Sequence, residues 1–82
     1  MDRPFQLTII SPEKTVFSGK AVSVIVPAES GYLGVLAGHA PLVANIIPGK
    51  ITVKEPSGAV TAVNCEKTGF FQVLDNNATL LL

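Results

Sequence analysis

The side chains best suited to nucleophilic chemistry are Cys65 and His39, the only cysteine and the only histidine among the 82 residues. A cysteine nucleophile requires a positioned base and donors for the developing oxyanion. Cys65 lies in a segment that alternates between apolar and polar residues, where a lone cysteine usually packs as a small hydrophobic side chain. The sequence therefore favours a structural Cys65 over a catalytic Cys65–His39 pair.

Metal and phosphate chemistry have even less support. One histidine and one cysteine cannot complete a closed zinc site. The glycines Gly34 and Gly38 are followed by His39 rather than by the Gly-Lys-Ser/Thr sequence of a phosphate-binding loop. The carboxylates are scattered through turn segments, as Asp2, Glu13, Glu29, Glu55, Glu66 and Asp75. We therefore predict no catalytic residue, no metal and no cofactor, and interpret the chain as a non-enzymatic interaction domain.

The composition indicates a protein partner. Charged residues make up 15% of the chain and apolar residues 48%, whereas soluble domains average about 25% charged. So few charges predict an apolar patch on the exterior, which commonly marks a protein-binding surface. The alternative is that a small β-domain simply exposes more valine and isoleucine.

Several other classes of protein are disfavoured. The six basic and six acidic residues balance, so nothing supports nucleic-acid binding. A single cysteine excludes a disulfide framework within the chain. The N-terminus lacks the layout of a signal peptide, and no apolar run approaches the ~20 residues that span a bilayer. We expect one soluble domain over residues 1–82, without direct membrane insertion.

The elements that must position these residues are short strands. Residues 5–10 alternate with Phe5, Leu7 and Ile9 on one face, and residues 50–54 alternate with Ile51 and Val53 inward. Turn sequences recur about every ten residues, at 11–14, 27–31, 38–39, 48–49, 55–58 and 75–77. This spacing predicts eight to ten short strands in an all-β sandwich or barrel.

The stretch from Gly31 to Leu42 combines apolar residues with regularly placed glycines. It predicts a strand, a tight corner around Gly38 and His39, and a second strand entered through Pro41. We expect four glycines to serve structure, because each would allow left-handed φ or a close approach of the backbone. They are Gly31, Gly34, Gly38 and Gly49.

The order of the turn sequences resembles a known family. Ile10-Ser11-Pro12-Glu13, Phe17-Ser18-Gly19, the Gly31–Leu42 stretch and Ile47-Pro48-Gly49-Lys50-Ile51 follow the N-terminal domain of epsilon subunits of F-type ATP synthases. The resemblance covers essentially the whole chain. It implies a β-sandwich of two five-stranded sheets, about ten strands in all, seated in the central stalk.

The resemblance also implies a function and partners. In that family the domain is not catalytic; it binds the gamma subunit, contacts the loops of the c-ring, and couples proton-driven rotation to ATP synthesis. The implied location is peripheral, on the cytoplasmic face of the bacterial inner membrane or the equivalent side of another energy-transducing membrane. A free-standing β-sandwich module for protein interaction or ligand binding is the alternative.

The resemblance also implies roles for individual residues that stand at matching positions of the family. Ser11, His39 and Ala44 match positions near gamma, and the loop Glu29-Ser30-Gly31-Tyr32 matches the tip that faces the c-ring. Two simpler interpretations stay open. The loop could be an ordinary solvated hairpin, and the His39 ring could hydrogen-bond its own corner.

Three departures from the family pattern have consequences. Tyr32 replaces a residue that is acidic in many members, which puts an ionic c-ring contact in doubt. Phe70 stands where a glycine is frequent, so we expect local packing to differ. The chain ends at Leu82, without the C-terminal helical hairpin that carries ATP binding or inhibition in other members. We therefore expect either an isolated domain or a short natural form, with no ATP binding.

Overall fold

The computed structural model describes residues 3–82, so Met1 and Asp2 lie outside the described part. The described chain forms strands joined by turns and contains no helix, and the prediction of an all-β fold is confirmed. The nine strands are β1 (Phe5–Ile10), β2 (Thr15–Ala21), β3 (Ser23–Ala28), β4 (Gly31–Val35), β5 (Leu42–Ile46), β6 (Gly49–Lys54), β7 (Val60–Cys65), β8 (Gly69–Leu74) and β9 (Asn77–Leu81).

The apolar alternation of β1 is realised as predicted. Phe5, Leu7 and Ile9 are buried, whereas the residues between them are only partly covered. β1 pairs antiparallel with β2 and parallel with β9, so it lies inside a sheet and not at an edge.

A tight hairpin joins β8 to β9. Its two turn residues, Asp75 and Asn76, have φ of 49° and 61°, and the pair Leu74↔Asn77 closes the ladder. Positive φ at both central residues is the type I′ geometry that matches the twist of a hairpin. Asparagine and aspartate tolerate this conformation better than other non-glycine residues, as the sequence predicted for this turn.

The sheet folds over at one narrow junction. Its strands follow the order β2-β1-β9-β8-β5-β3-β6-β7, with β4 paired to β3. At the junction, β5 and β3 share a single residue pair, Ala28↔Ile46. The fold therefore has one layer of five strands, β2-β1-β9-β8-β5, and one of four, β4-β3-β6-β7. Within the described residues there are thus nine strands and not the expected ten in two five-stranded sheets. The second layer has four strands, because no further strand pairs with β4.

The two layers enclose one apolar core. Its largest fully buried side chains include Phe71 and Leu7 from the first layer and Ile51 and Val53 from the second. No polar or charged residue within 3–82 is buried. No helix in that range is long and apolar enough to cross a membrane. An apolar core of this kind specifies a stiff scaffold and offers no interior group for chemistry.

Candidate partner-binding surfaces

The hairpin between β3 and β4 presents the residues that were predicted to face the c-ring. Glu29, Ser30, Gly31 and Tyr32 are all exposed, and Gly31 has a φ of 126° that a side chain rarely adopts. The hairpin is also anchored, because the Glu29 N–H donates to Asn45 O at 3.2 Å and the Asn45 amide donates to Glu29 Oε1 at 3.3 Å. The tip is therefore a projecting loop that is tied to β5 at its base.

Tyr32 is the aromatic residue of this hairpin, and 65% of its surface is accessible. It pairs across the ladder with Pro27, and its hydroxyl lies near Gly49 on β6. A Cβ added at Gly49 would lie 2.8 Å from Pro27 Cβ and 3.5 Å from the Tyr32 hydroxyl. Gly49 thus permits the close packing that was predicted for it, and Pro27 and the Tyr32 hydroxyl occupy the space beside it.

Gly34 does not fit the role predicted for it. Its φ lies outside the left-handed region, and no atom lies within 4 Å of the position that a Cβ would occupy. The structure requires glycine at Gly31 and Gly38 for their positive φ and at Gly49 for space, but shows neither reason at Gly34. Sequence spacing could not distinguish these cases, because they differ in backbone φ at Gly31 and Gly38 and in the neighbouring Pro27 at Gly49.

The corner between β4 and β5 holds His39 half-buried. Gly38 turns the chain with a φ of 78°, and the His39 N–H donates to Leu36 O at 3.3 Å. The ring Nδ1 lies 2.7 Å from Ala40 O. Because a carbonyl can only accept, Nδ1–H is the donor in this contact. Pro41 follows, exposed, and leads into β5 as predicted.

Ser11 occupies the turn between β1 and β2. Its hydroxyl donates to Lys14 O at 3.1 Å and accepts from the Lys14 N–H at 3.2 Å. This is the local backbone bonding that serine provides in turns. Both bonds stabilise the turn, and the side chain remains half-buried at the surface.

Ala44 lies on the inner side of β5, because it alternates with the exposed Val43 and Asn45. It is half-buried against the core. A shallow cleft joins it to Glu29 and Ser30 of the hairpin tip. The structure therefore places Ala44 beside the loop predicted to face the c-ring.

The three residues predicted to contact gamma are not gathered into one patch. His39 lines a cleft with Pro4, which precedes β1, whereas Ser11 follows the other end of β1. Six residues of strand separate these ends by about 17–20 Å. Ala44 lies on β5, at the far side of the layer from β1. Any partner that contacts all three must therefore span the five-stranded layer.

The outer face of that layer carries exposed apolar side chains that residue-by-residue reasoning did not select. Phe70 is 38% exposed and pairs with Leu81, which pairs on its other side with Ile10. Val43 on β5 is 63% exposed. The outward side of β8 was readable from the alternation of residues 69–74, in which Phe71 and Val73 point inward. Phe70 therefore lies on the outer face and needs no space in the interior.

This outer face is almost free of charge. Between the apolar residues lie the uncharged polar side chains Gln6, Thr8, Ser18, Asn45, Gln72, Asn77 and Thr79. Among the outward residues of the described strands in this layer, Lys20 near the end of β2 is the charged one. Depletion of charge with exposed aromatic and aliphatic residues is the composition of an interface centre.

The structure does not bring Cys65 and His39 together. Cys65 is buried at the end of β7, and its thiol donates to Lys67 O at 2.9 Å. It borders a cleft shared with Ser11 and Lys14, whereas His39 borders a different one with Pro4. Within residues 3–82 no group of three or more metal-ligating side chains occurs.

Comparison with known proteins agrees with the all-β fold. Residues 4–82 match the family model of the β-sandwich domain of ATP synthase delta and epsilon chains. The chain is 36% identical over 81 residues to the ATP synthase epsilon chain of Dichelobacter nodosus, an alignment that covers 99% of this chain and 56% of that relative. It is 39% identical over 80 residues to the epsilon chain of Chlorobium limicola, with 98% and 90% covered.

Solved structures show the same fold. A chain of the mitochondrial ATP synthase of Euglena gracilis superposes with a TM-score of 0.88 at 22% identity, over 95% of this chain and 49% of that one. A chain from the central stalk and c-ring of the Tetrahymena thermophila enzyme gives 0.77 at 13% identity, over 98% and 63%. This chain thus spans about half the length of several proteins that it matches, and most of the Chlorobium relative.

Proposed function

Because this chain belongs to the family of the β-sandwich domain of ATP synthase delta and epsilon chains, we propose that it is a non-catalytic central-stalk component of an F-type ATP synthase. In this role it binds the gamma subunit, contacts the c-ring, and couples proton-driven rotation to ATP synthesis. The observation that carries the proposal is the family match over residues 4–82. The protein works at the peripheral, cytoplasmic face of a bacterial inner membrane or the equivalent side of another energy-transducing membrane.

The gamma-binding surface in this proposal is the outer face of the five-stranded layer together with its ends. Ser11 follows the end of β1, and His39 lies beside the residues that precede β1. The outer face of the layer, with Phe70 and Leu81, lies between them. A broad apolar and uncharged face suits a permanent interface better than a transient one. It transmits force through many contacts, so no single reactive residue is needed.

The c-ring contact in this proposal is the projecting hairpin Glu29-Ser30-Gly31-Tyr32. Its exposure and its hydrogen bonds to Asn45 favour a loop that keeps its direction under load. Ala44 lies beside the hairpin base, at the boundary where the two proposed surfaces adjoin. Tyr32 supplies an aromatic contact in place of an ionic one.

Titration of this chain with purified gamma tests the proposal, and two valines provide a matched pair of variants. Val43 is 63% exposed on the five-stranded layer, and Val60 is 64% exposed on the four-stranded layer. A lysine at Val43 places a charge in the proposed interface without a partner, so Val43→Lys should lower gamma affinity at least tenfold. Val60→Lys should bind gamma like the unaltered chain.

The outcomes separate the function from its alternative. Equal loss of binding in both variants would contradict the choice of face. No gamma binding by the unaltered chain would instead favour a free-standing interaction module. For the hairpin, a photoreactive group at Tyr32 should cross-link to c-ring loops in the assembled enzyme, whereas one at Val60 should not. Calorimetry should detect no stoichiometric binding of ATP to this chain.

A further inference from the structure

Asn76 links three segments of the chain that are distant in sequence. Its Oδ1 accepts from the Gly38 N–H at 2.9 Å, and its Nδ2 donates to Pro4 O at 3.3 Å. Its backbone carbonyl accepts from the Gln6 N–H at 3.1 Å. The β8–β9 turn is thereby tied to the start of β1 and to the corner that carries His39.

The bond to Gly38 is unusual for this corner. The other hydrogen bonds of residues 36–41 are local, from the His39 N–H to Leu36 O and from the His39 ring to Ala40 O. Within residues 3–82, the Asn76 amide thus makes the one hydrogen bond that ties this corner to another element. Without it, the corner would depend on its two flanking strands for its position.

The same side chain also connects the two sides of a surface cleft. Arg3 and Pro4 line one side, His39 and Pro41 line the other, and Asn76 lies between them. The Arg3 guanidinium lies close to Gly38, since its Nη2 would be 3.6 Å from a Cβ added there. The amide oxygen of Asn76 bonds one side and the amide nitrogen bonds the other.

We propose that Asn76 is a positioning residue that holds the His39 corner and the start of β1 in the arrangement that gamma binds. This inference rests on the proposed function, because it assigns the corner to the gamma-binding surface. Asn76 itself need not contact gamma. Its contribution is to order the corner before gamma binds, so that binding loses less conformational entropy.

Three variants separate the contributions of Asn76. Asn76→Gly keeps the positive φ and the backbone bond to Gln6 but removes both side-chain bonds. Asn76→Asp tolerates the same φ and keeps an oxygen for the Gly38 N–H, but loses the donor to Pro4 O. Asn77→Ala is the matched control for Gly38 exchange, because the Asn77 amide bonds only within the turn, to Asp75 O at 3.0 Å.

Hydrogen exchange of the Gly38 amide and titration with purified gamma give the two readouts. In Asn76→Gly, Gly38 exchange should accelerate and gamma affinity should fall, each on the order of tenfold. Asn76→Asp should keep Gly38 protected and recover most of the affinity. Asn77→Ala should leave Gly38 exchange as it is in the unaltered chain.

Each failure has a distinct meaning. Unchanged Gly38 exchange in Asn76→Gly would show that the hydrogen bond from the Gly38 N–H to Asn76 Oδ1 does not hold the corner. Faster exchange with unchanged gamma affinity would overturn the positioning role and leave the central-stalk function intact. If the unaltered chain fails to bind gamma, the proposed function is overturned, and the role of Asn76 in docking with it.

Discussion

Replacing Gly49 by alanine should destabilise the fold, whereas the same replacement at Gly34 should stabilise it. Both glycines lie in strands of the four-stranded layer, and neither has φ in the left-handed region. Only their surroundings differ. A Cβ added at Gly49 would lie 2.8 Å from Pro27 Cβ and 3.0 Å from its Cγ, whereas one added at Gly34 would meet nothing within 4 Å.

These contacts set the expected magnitudes. Pro27 has a closed ring whose atoms cannot rotate away, so insertion at Gly49 costs the roughly 1–3 kcal/mol of an overpacked site. Replacing a strand glycine recovers about 0.5–1 kcal/mol of unfolded-state entropy. The net loss at Gly49 is therefore up to about 2.5 kcal/mol. At Gly34 only the gain applies, about 0.4–1 kcal/mol.

Thermal unfolding followed by circular dichroism measures both effects. A change of 1 kcal/mol shifts the melting temperature of a domain this small by about 4–8 °C. Gly49→Ala should therefore melt up to about 20 °C lower than the unaltered chain, and Gly34→Ala about 2–8 °C higher. Two shifts of the same sign would refute the argument that space at Pro27 dictates glycine at position 49.

Three further predictions concern the core, the thiol and the His39 corner. Phe71→Ala should lower the free energy of unfolding by about 3–5 kcal/mol, because Phe71 is fully buried; an unchanged urea midpoint would contradict its place in the core. Cys65 should react slowly with iodoacetamide in the folded protein and rapidly in denaturant, because it is buried; rapid labelling without denaturant would be inconsistent with this packing. Gly38→Ala should cost about 1–2 kcal/mol because of its left-handed φ, and Gly38→Asn should cost less; equal melting temperatures for both variants and the unaltered chain would show that the corner relaxes.

Local patterns in the sequence were sufficient to predict the elements. The alternation of Phe5, Leu7 and Ile9 identified the buried face of β1, because a strand repeats every two residues. The pair Asp75–Asn76 predicted a turn with left-handed φ, because these side chains tolerate that conformation. The low charge content predicted an apolar exterior, and the neighbours Ile10, Leu81 and Phe70 agree with it.

The placement of the candidate residues was not predictable in the same way. Sequence position grouped Ala44 with Ser11 and His39, but the structure sets Ala44 beside the β3–β4 hairpin. Gly34 looked equivalent to its neighbouring glycines, although nothing crowds it. Sequence alone could not place Ala44, because its position relative to the hairpin depends on the contact of β5 with β3.

The sequence by itself determined where strands and turns occur, because alternation and turn chemistry act between near neighbours. Only the tertiary structure decided which strands meet. The parallel pairing of Leu7 with Ala78, the single junction Ala28↔Ile46 and the bond from Asn76 to Pro4 each join residues with no shared local signal. Burial of both apolar faces against each other selects these pairings, and with them the two surfaces that we propose for partner binding.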